Sequence, residues 1–327
     1  MTRMRHGLSV LVTKPILDDG LALLKAAGHS VTVVDNSVPG FDLVKAARGS
    51  SAIISMLTDS LNVSVLKQLA EDGKLEIIAQ HAVGIDNIDL EAAKALGIKV
   101  THTPGVLSEA TANHAMALLL AAARNIVPGD AYCRSGKWKN FDPTLLLGID
   151  LSGKRMGVIG MGRIGQEVAK RSKAFGMEIC YCNRKRVSEI IESECGSARF
   201  LSLEELLTTS DIVSLNCPLT PETKHLIDAK RISTMKKNAI LVNTARGPIV
   251  DEEALAEAMA NGHLRAAALD VFEREPEIHP KLLNLPNVLL APHLGSATEE
   301  TRARMSRMCG KSVVTCLNGE EPPHQFV

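Results

Sequence analysis

Short aliphatic and β-branched runs alternate with stretches of helical period along most of the chain, and no other feature restricts its fold as much. Val10-Leu11-Val12, Val31–Val34, Ala52–Met56, Leu75–Ala79 and Ile98–Thr101 read as five strands. Helical stretches separate them, among them Gly20–Ala27 closed by Gly28 and Asp89–Leu96 closed by Gly97, each glycine standing where a left-handed C-terminal cap is wanted. Strand, helix and strand in repetition predict a parallel sheet covered on both faces. After Thr103-Pro104-Gly105 the pattern predicts a long apolar helix over about Ser108–Asn125 and then a polar stretch around Gly129–Pro143. A second series of strands follows: Met156–Gly160, Glu178–Cys182, Ile212–Leu215, Ala239–Asn243, Ala267–Val271 and Val288–Ala291. The tail, Thr298–Asn318, reads as a helix and is expected to pack back on the first series. The fold class is therefore α/β, with two doubly wound parallel sheets.

Length and composition agree with two globular domains. The 327 residues are enough for about two units of ordinary size. The 45% apolar and 23% charged residues are the usual balance of a folded chain. Lys plus Arg and Asp plus Glu are both 37, so no global field favours nucleic acid or an anionic membrane, and an anionic ligand must be met locally. The cysteines number seven and form no CxxC pair, which excludes a fully paired disulfide framework and points to a reducing compartment. Leu8–Val12, preceded by Arg3, Arg5 and His6, is too short for a signal-peptide core, and nowhere do enough apolar residues run together to span a bilayer. A cytoplasmic protein without a membrane partner is expected. His81, His102 and His114 lie on separate elements without a short ligand spacing, so no metal site is expected.

The most specific local signal is Gly160-Met161-Gly162-Arg163-Ile164-Gly165, running out of the strand Met156–Ile159 into a helix whose Ile164, Val168, Ser172 and Phe175 share a face. Gly160 permits the tight turn, Gly162 lets a pyrophosphate approach the backbone, and Gly165 lets the helix lie close to the sheet. The helix N-terminus favours phosphate oxygens. About 20 residues on, a cofactor with a free ribose calls for an acidic side chain. Here the second strand ends in Asn183-Arg184-Lys185-Arg186, with three cations and no acid. That tip favours NADP, and a merely solvated basic turn leaves NAD open.

Three further residues follow successive strand ends: Arg246 in Thr244-Ala245-Arg246-Gly247, Glu275 just before Pro276, and His293 in Pro292-His293-Leu294-Gly295-Ser296. Ligands of open parallel sheets lie outside the carboxyl ends of the strands. A guanidinium can hold a carboxylate and polarise the neighbouring carbonyl. Histidine exchanges a proton near neutrality, and a carboxylate on its other nitrogen orients the ring and favours the protonated form. Ser296 is expected to cap the last helix, and no GxSxG elbow supports a hydrolase.

With Gly160–Gly165, Asn243–Pro248, Leu269–Pro276 and Ala291–Thr298 in this order, and His81–Asn87 ahead of them, the chain resembles the D-isomer-specific 2-hydroxyacid dehydrogenases over nearly its whole length. The resemblance implies a Rossmann cofactor domain over 105–294 and a flavodoxin-like substrate domain over 1–104 and 295–327, with the nicotinamide end in the cleft. It implies a catalytic triad of Arg246, Glu275 and His293, hydride transfer between nicotinamide and a small 2-oxo or 2-hydroxy acid, and a homodimer built mainly through the cofactor domain. It adds Arg163, Ile164, Cys217, Pro218, Thr223, Thr244, Asp270 and Ser296 to the cofactor contacts, and gives Val83 and Gly84 the substrate carboxylate. Within the family the chain is similar to glyoxylate and hydroxypyruvate reductases, because Asn183-Arg184 replaces the acidic tip. D-3-phosphoglycerate or 2-oxogluconate as substrate, and a dinucleotide-sensing corepressor-like role, are the alternatives. Asn113 departs from the acidic residue of many relatives. Trp138 either packs or reaches across a dimer.

Overall fold

A computed structural model describes residues 5–327, so Arg3 lies outside the described residues. The chain divides into two compact units, one taking the chain up to Leu107 together with Ala297–Val327, the other Ser108–Ser296. Each is built on a wholly parallel sheet.

The first sheet contains β1 (Ser9–Val12), β2 (Ser30–Val33), β3 (Ala52–Ser55), β4 (Ile77–Gln80) and β5 (Lys99–Thr101) in the order β2-β1-β3-β4-β5, that of flavodoxin-like sheets. Alternation along the strands sends Val10, Val12, Ile54 and Ile77 into one core with Leu21, Leu24, Cys309 and Val313, and Leu11, Ile53 and Ile78 into another with Leu61, Leu66 and Ile98. Both faces of the central strands β1, β3 and β4 are thus dry, and each buried Val, Leu or Ile contributes about 1.5–3 kcal/mol by leaving water. The terminal helix, Glu299–Leu317, packs on the helix Asp18–Ala26, where Ser306 Oγ accepts from Gly20 N at 3.0 Å and donates to Leu17 O at 2.6 Å. Its N-cap is Thr298, whose side chain accepts from Thr301 N; Ser296 does not cap it, because the helix begins at Glu299, two residues later than a cap at Ser296 would require.

The second sheet contains β6 (Arg155–Ile159), β7 (Glu178–Cys182), β8 (Arg199–Phe200), β9 (Ile212–Leu215), β10 (Ile240–Asn243), β11 (Ala266–Leu269) and β12 (Val288–Leu290), ordered β12-β11-β10-β9-β6-β7-β8. Six strands are predicted from the sequence and seven are present; the extra edge strand, β8, is two exposed residues long, too short for any period to reveal. The order reverses at β6, whose neighbours are β7 and β9, which makes the ends of β6 and β9 the switch point where such sheets bind ligands. The apolar helix Ser108–Ala123 backs this sheet, and a second helix, Ile126–Arg134, follows where a polar connection is expected. No helix among the described residues is long and apolar enough to cross a membrane, and no group of three or more His, Cys, Asp or Glu side chains among them could hold a metal ion.

Candidate active site

At the end of β6 the chain turns at Gly160 with φ +95°, and a Cβ there would stand 2.7 Å from the backbone of Asn216 and Cys217. A Cβ on Gly165 would sit 2.0 Å from Gly160 O, so the helix Arg163–Ala174 can lie this close to the strand end only without a side chain at Gly165. Gly162, its N-cap, is different: nothing lies within 4 Å of where its Cβ would be. The first turn of the helix therefore offers unpaired N–H groups to open ground, with exposed Arg163 and half-buried Ile164 beside it.

Two buried oxygens at neighbouring strand ends, Thr244 Oγ1 after β10 and Asn216 Oδ1 after β9, meet no hydrogen-bond partner in the protein. Buried polar atoms left in this way suit a ligand that supplies the partner. Together with the open ground at Gly162 they fit a dinucleotide lying along the strand ends. Asn216 is absent from the sequence-based set, and its only signal is its place directly after β9. The Cys217 thiol is pushed up to about 11 by burial, so it is a neutral apolar wall and not a nucleophile. Thr223 Oγ1 donates to Pro218 O and accepts from Thr220 N, both at 2.7 Å, closing the turn beyond it.

The tip of β7 differs from expectation in its number of available cations. Arg186 grips Glu192 with two bonds of 2.8 Å, and Tyr181 Oη donates to the same carboxylate at 2.6 Å. The Arg186 and Tyr181 bonds hold the Glu192 carboxyl down at about 2. Arg186 is thereby a structural cation, leaving Arg184 and Lys185 exposed on the turn that Asn183 Nδ2 closes onto Lys185 O at 3.1 Å.

Arg246, Glu275 and His293 follow β10, β11 and β12, three strands that are neighbours in the sheet. His293 Nδ1 lies 2.8 Å from Glu275 Oε2, while Glu275 Oε1 accepts from Phe272 N at 3.1 Å, so both carboxylate oxygens are engaged and the ring is oriented. His293 itself is left-handed, φ +55°, with its N–H donated to Asp270 O at 2.9 Å. The stretch that leads to Glu275 is held against Arg246: a Cβ on Gly247 would fall 1.8 Å from Phe272 C, and Glu252 Oε1 accepts from Glu273 N at 2.8 Å. Arg246 Nη1 donates to Ala245 O at 2.8 Å, and Asn243 ties the turn from both sides, accepting from Ala245 N and donating to Arg246 O. Asp270 is just past β11, not within it, and is 1% exposed. Ser296 is half-buried at the end of this unit.

In the other unit, Val83 and Gly84 stand on the turn after β4. Gln80 Nε2 donates to Gly84 O at 3.3 Å and to Asn87 Oδ1 at 2.8 Å, and Asn87 Nδ2 reaches Met56 O and Asp59 O. His102 Nδ1 bonds Val83 O at 3.0 Å. The carbonyls of this turn are tied inward by side chains whose contribution no local sequence period announces.

Residues 116–295 match the family model described as D-isomer specific 2-hydroxyacid dehydrogenase, NAD binding domain. Among known proteins the chain is similar to a glyoxylate reductase of Aeropyrum pernix, 48% identical over 323 residues covering 96% of this chain and 94% of that one. Among solved structures it is similar to a protein from Thermus thermophilus, with a TM-score of 0.91, 46% identity, and 98% and 100% of the two chains covered. It is also similar to an NADPH-dependent glyoxylate/hydroxypyruvate reductase from Sinorhizobium meliloti in complex with NADP and malonate, with a TM-score of 0.85, 30% identity, and 98% and 97% covered.

Proposed function

The chain belongs to the D-isomer specific 2-hydroxyacid dehydrogenase family, and from that premise we propose that it is a glyoxylate reductase. It reduces glyoxylate, or a close 2-oxo acid such as hydroxypyruvate, to the D-2-hydroxy acid, with NADPH favoured over NADH. The observation that carries the reading is the His293–Glu275 pair at 2.8 Å, standing at strand ends adjacent to that of Arg246 in the sheet that also carries the glycine turn. In this reading Ser108–Ser296 is the dinucleotide-binding domain and the other unit the substrate-binding domain.

When bound, the reduced nicotinamide supplies the hydride. Arg246 holds the substrate carboxylate with its planar fork and polarises the adjoining carbonyl, and the N–H groups of Val83 and Gly84 take part in holding that carboxylate. His293 begins protonated, gives its Nε2 proton to the carbonyl oxygen as that oxygen gains the electron pair, and ends neutral with Nδ1–H still donated to Glu275. Gly160, Gly162, Arg163, Ile164 and Gly165 hold the pyrophosphate. Thr244, Asp270, Ser296, Cys217, Pro218 and Thr223 line the cofactor's course, and Asn216 joins them through its unpartnered oxygen.

The choice of NADP rests on Arg184 and Lys185 beside Asn183, with no acid at the strand tip to repel a 2′-phosphate. Replacing Arg184 by Ala is expected to weaken NADPH by roughly 10- to 100-fold, from charge-assisted bonds of about 1.5–3 kcal/mol, and to leave NADH nearly unchanged. Equal losses for both cofactors would refute this assignment. The helix Ile126–Arg134 has no buried residue, and with exposed Ile126, Val127, Phe141 and Leu147 it supports a homodimer formed through this unit. All seven cysteines are free thiols, which supports a cytoplasmic location. The test of the function is a panel of 2-oxo acids assayed with NADPH and NADH. Turnover of glyoxylate at an ordinary enzymatic rate is expected, and a panel without turnover would transfer belief to a cofactor-sensing protein.

A further inference from the structure

The left-handed turn that carries His293 is held by a carboxylate buried behind it. Asp270 Oδ1 accepts from Leu294 N at 2.6 Å, Oδ2 accepts from Gly295 N at 2.8 Å, and the Asp270 carbonyl accepts from His293 N at 2.9 Å. Three consecutive amides of the catalytic turn thus end on one residue. Asp270 is 1% exposed, and besides these amides its carboxylate meets a further, side-chain donor. That donor is His114, on the long helix Ser108–Ala123, with Nε2 3.0 Å from Asp270 Oδ1. Thr111, one helical turn earlier, closes the arrangement from the same helix: a Cβ on Gly295 would stand 3.3 Å from its methyl group and 3.2 Å from Asp270 Oδ2.

We propose that His114 is a positioning residue for the reaction: by donating to Asp270 it keeps that carboxylate aimed at the amides of Leu294 and Gly295, and so fixes the turn from which His293 meets the substrate. The inference rests on the reductase reading for its kinetic consequence, but not for its structural one. No hydrogen bond or ion pair joins His114 to Glu275 or His293; it acts through Asp270, and a misplacement of the acid by about one ångström is enough to slow proton transfer.

Two variants separate positioning from bulk packing. His114→Leu fills the space without a donor, whereas His114→Gln retains an N–H that can reach Asp270. In the 2-oxo acid assay His114→Leu is expected to lower kcat by between about 10- and 100-fold with a much smaller change in KM for the 2-oxo acid, and His114→Gln to recover most of the loss. Hydrogen exchange of the amides of Leu294 and Gly295, followed in the protein alone, is expected to be faster in His114→Leu and near the parent's in His114→Gln. Equal kcat in parent and His114→Leu, or unchanged exchange at those two amides, overturns the inference. So does a loss that His114→Gln shares in full, since this would mean that the imidazole serves by its shape. A parent without turnover would count against the reductase reading, and the exchange measurement would then decide the inference by itself.

Discussion

A proton donor for ketone reduction has to be charged before the reaction and neutral after it, and Glu275 Oε2, 2.8 Å from His293 Nδ1, accepts the ring N–H that is present in both states. Removing the imidazole with His293→Ala is expected to lower kcat by about 10²–10⁴-fold while cofactor binding, followed by nicotinamide fluorescence, stays nearly intact. Glu275→Gln retains the shape and loses the charge. The ring then loses the anionic partner that orients it, and kcat should fall by roughly 10- to 100-fold with KM for the 2-oxo acid much less affected. An unchanged kcat in that variant would leave Glu275 a structural carboxylate anchored to Phe272 N. Arg246→Lys keeps a cation but not the planar fork, and should raise KM for the 2-oxo acid as well as lower kcat.

At the scale of elements, two glycines of the same sheet end make opposite demands. Gly247 is pressed onto the Phe272–Glu273 peptide, with 1.8 Å between its virtual Cβ and Phe272 C, so Gly247→Ala must shift one backbone against the other. A loss of about 1–3 kcal/mol in urea unfolding is expected, together with a fall in kcat/KM because Arg246 and Glu275 move with the two segments. Gly162 faces open ground, so Gly162→Ala should leave the stability of the cofactor-free protein within about 0.5 kcal/mol of the parent and weaken cofactor binding. If both variants lost stability equally, the open ground before the helix Arg163–Ala174 would be wrongly drawn. The helix Ile126–Arg134 escapes a reading by period because it buries no face, and Pro128 and Gly129 suggest a break. Proline is tolerated there because a first-turn residue has no intrahelical acceptor for its N–H.

For the whole molecule, a buried imidazole is expected to make stability fall in acid. Burial, with a smaller contribution from the Arg302 guanidinium, lowers His81 from its ordinary 6.5 to about 4, and burial lowers His29 in the same sense. Between these two values the unfolded chain binds a proton that the folded chain does not, so stability rises with pH across the window and is lost as pH falls from 6.5 towards 4. For His81 the full effect is about 3 kcal/mol. Urea midpoints measured at pH 7.5 and pH 5 are expected to separate in the parent, and by less in His81→Leu. An equal separation in both proteins would assign the acid sensitivity to other groups.

Much of this protein is legible in local chemistry. Short apolar, β-branched runs and stretches of 3.6-residue period distinguish strands from helices, and their alternation points to parallel sheets, because strands buried on both faces are near-continuous apolar runs. The glycine turn and the types Arg246, Glu275 and His293 at strand ends are equally visible, since each is a short-range pattern. What the tertiary structure decided is which polar groups meet across distance. Arg186 is withdrawn from the β7 tip by Glu192, Thr298 and not Ser296 caps the last helix, and the two-residue β8 is a strand through its pairing with β7 at the sheet edge. His114 and Asp270 lie 156 residues apart in sequence and 3.0 Å apart at their nearest side-chain atoms. A hydrogen bond depends on position to a few tenths of an ångström, and that precision arises only when the packed core has brought the helix and the strand end together.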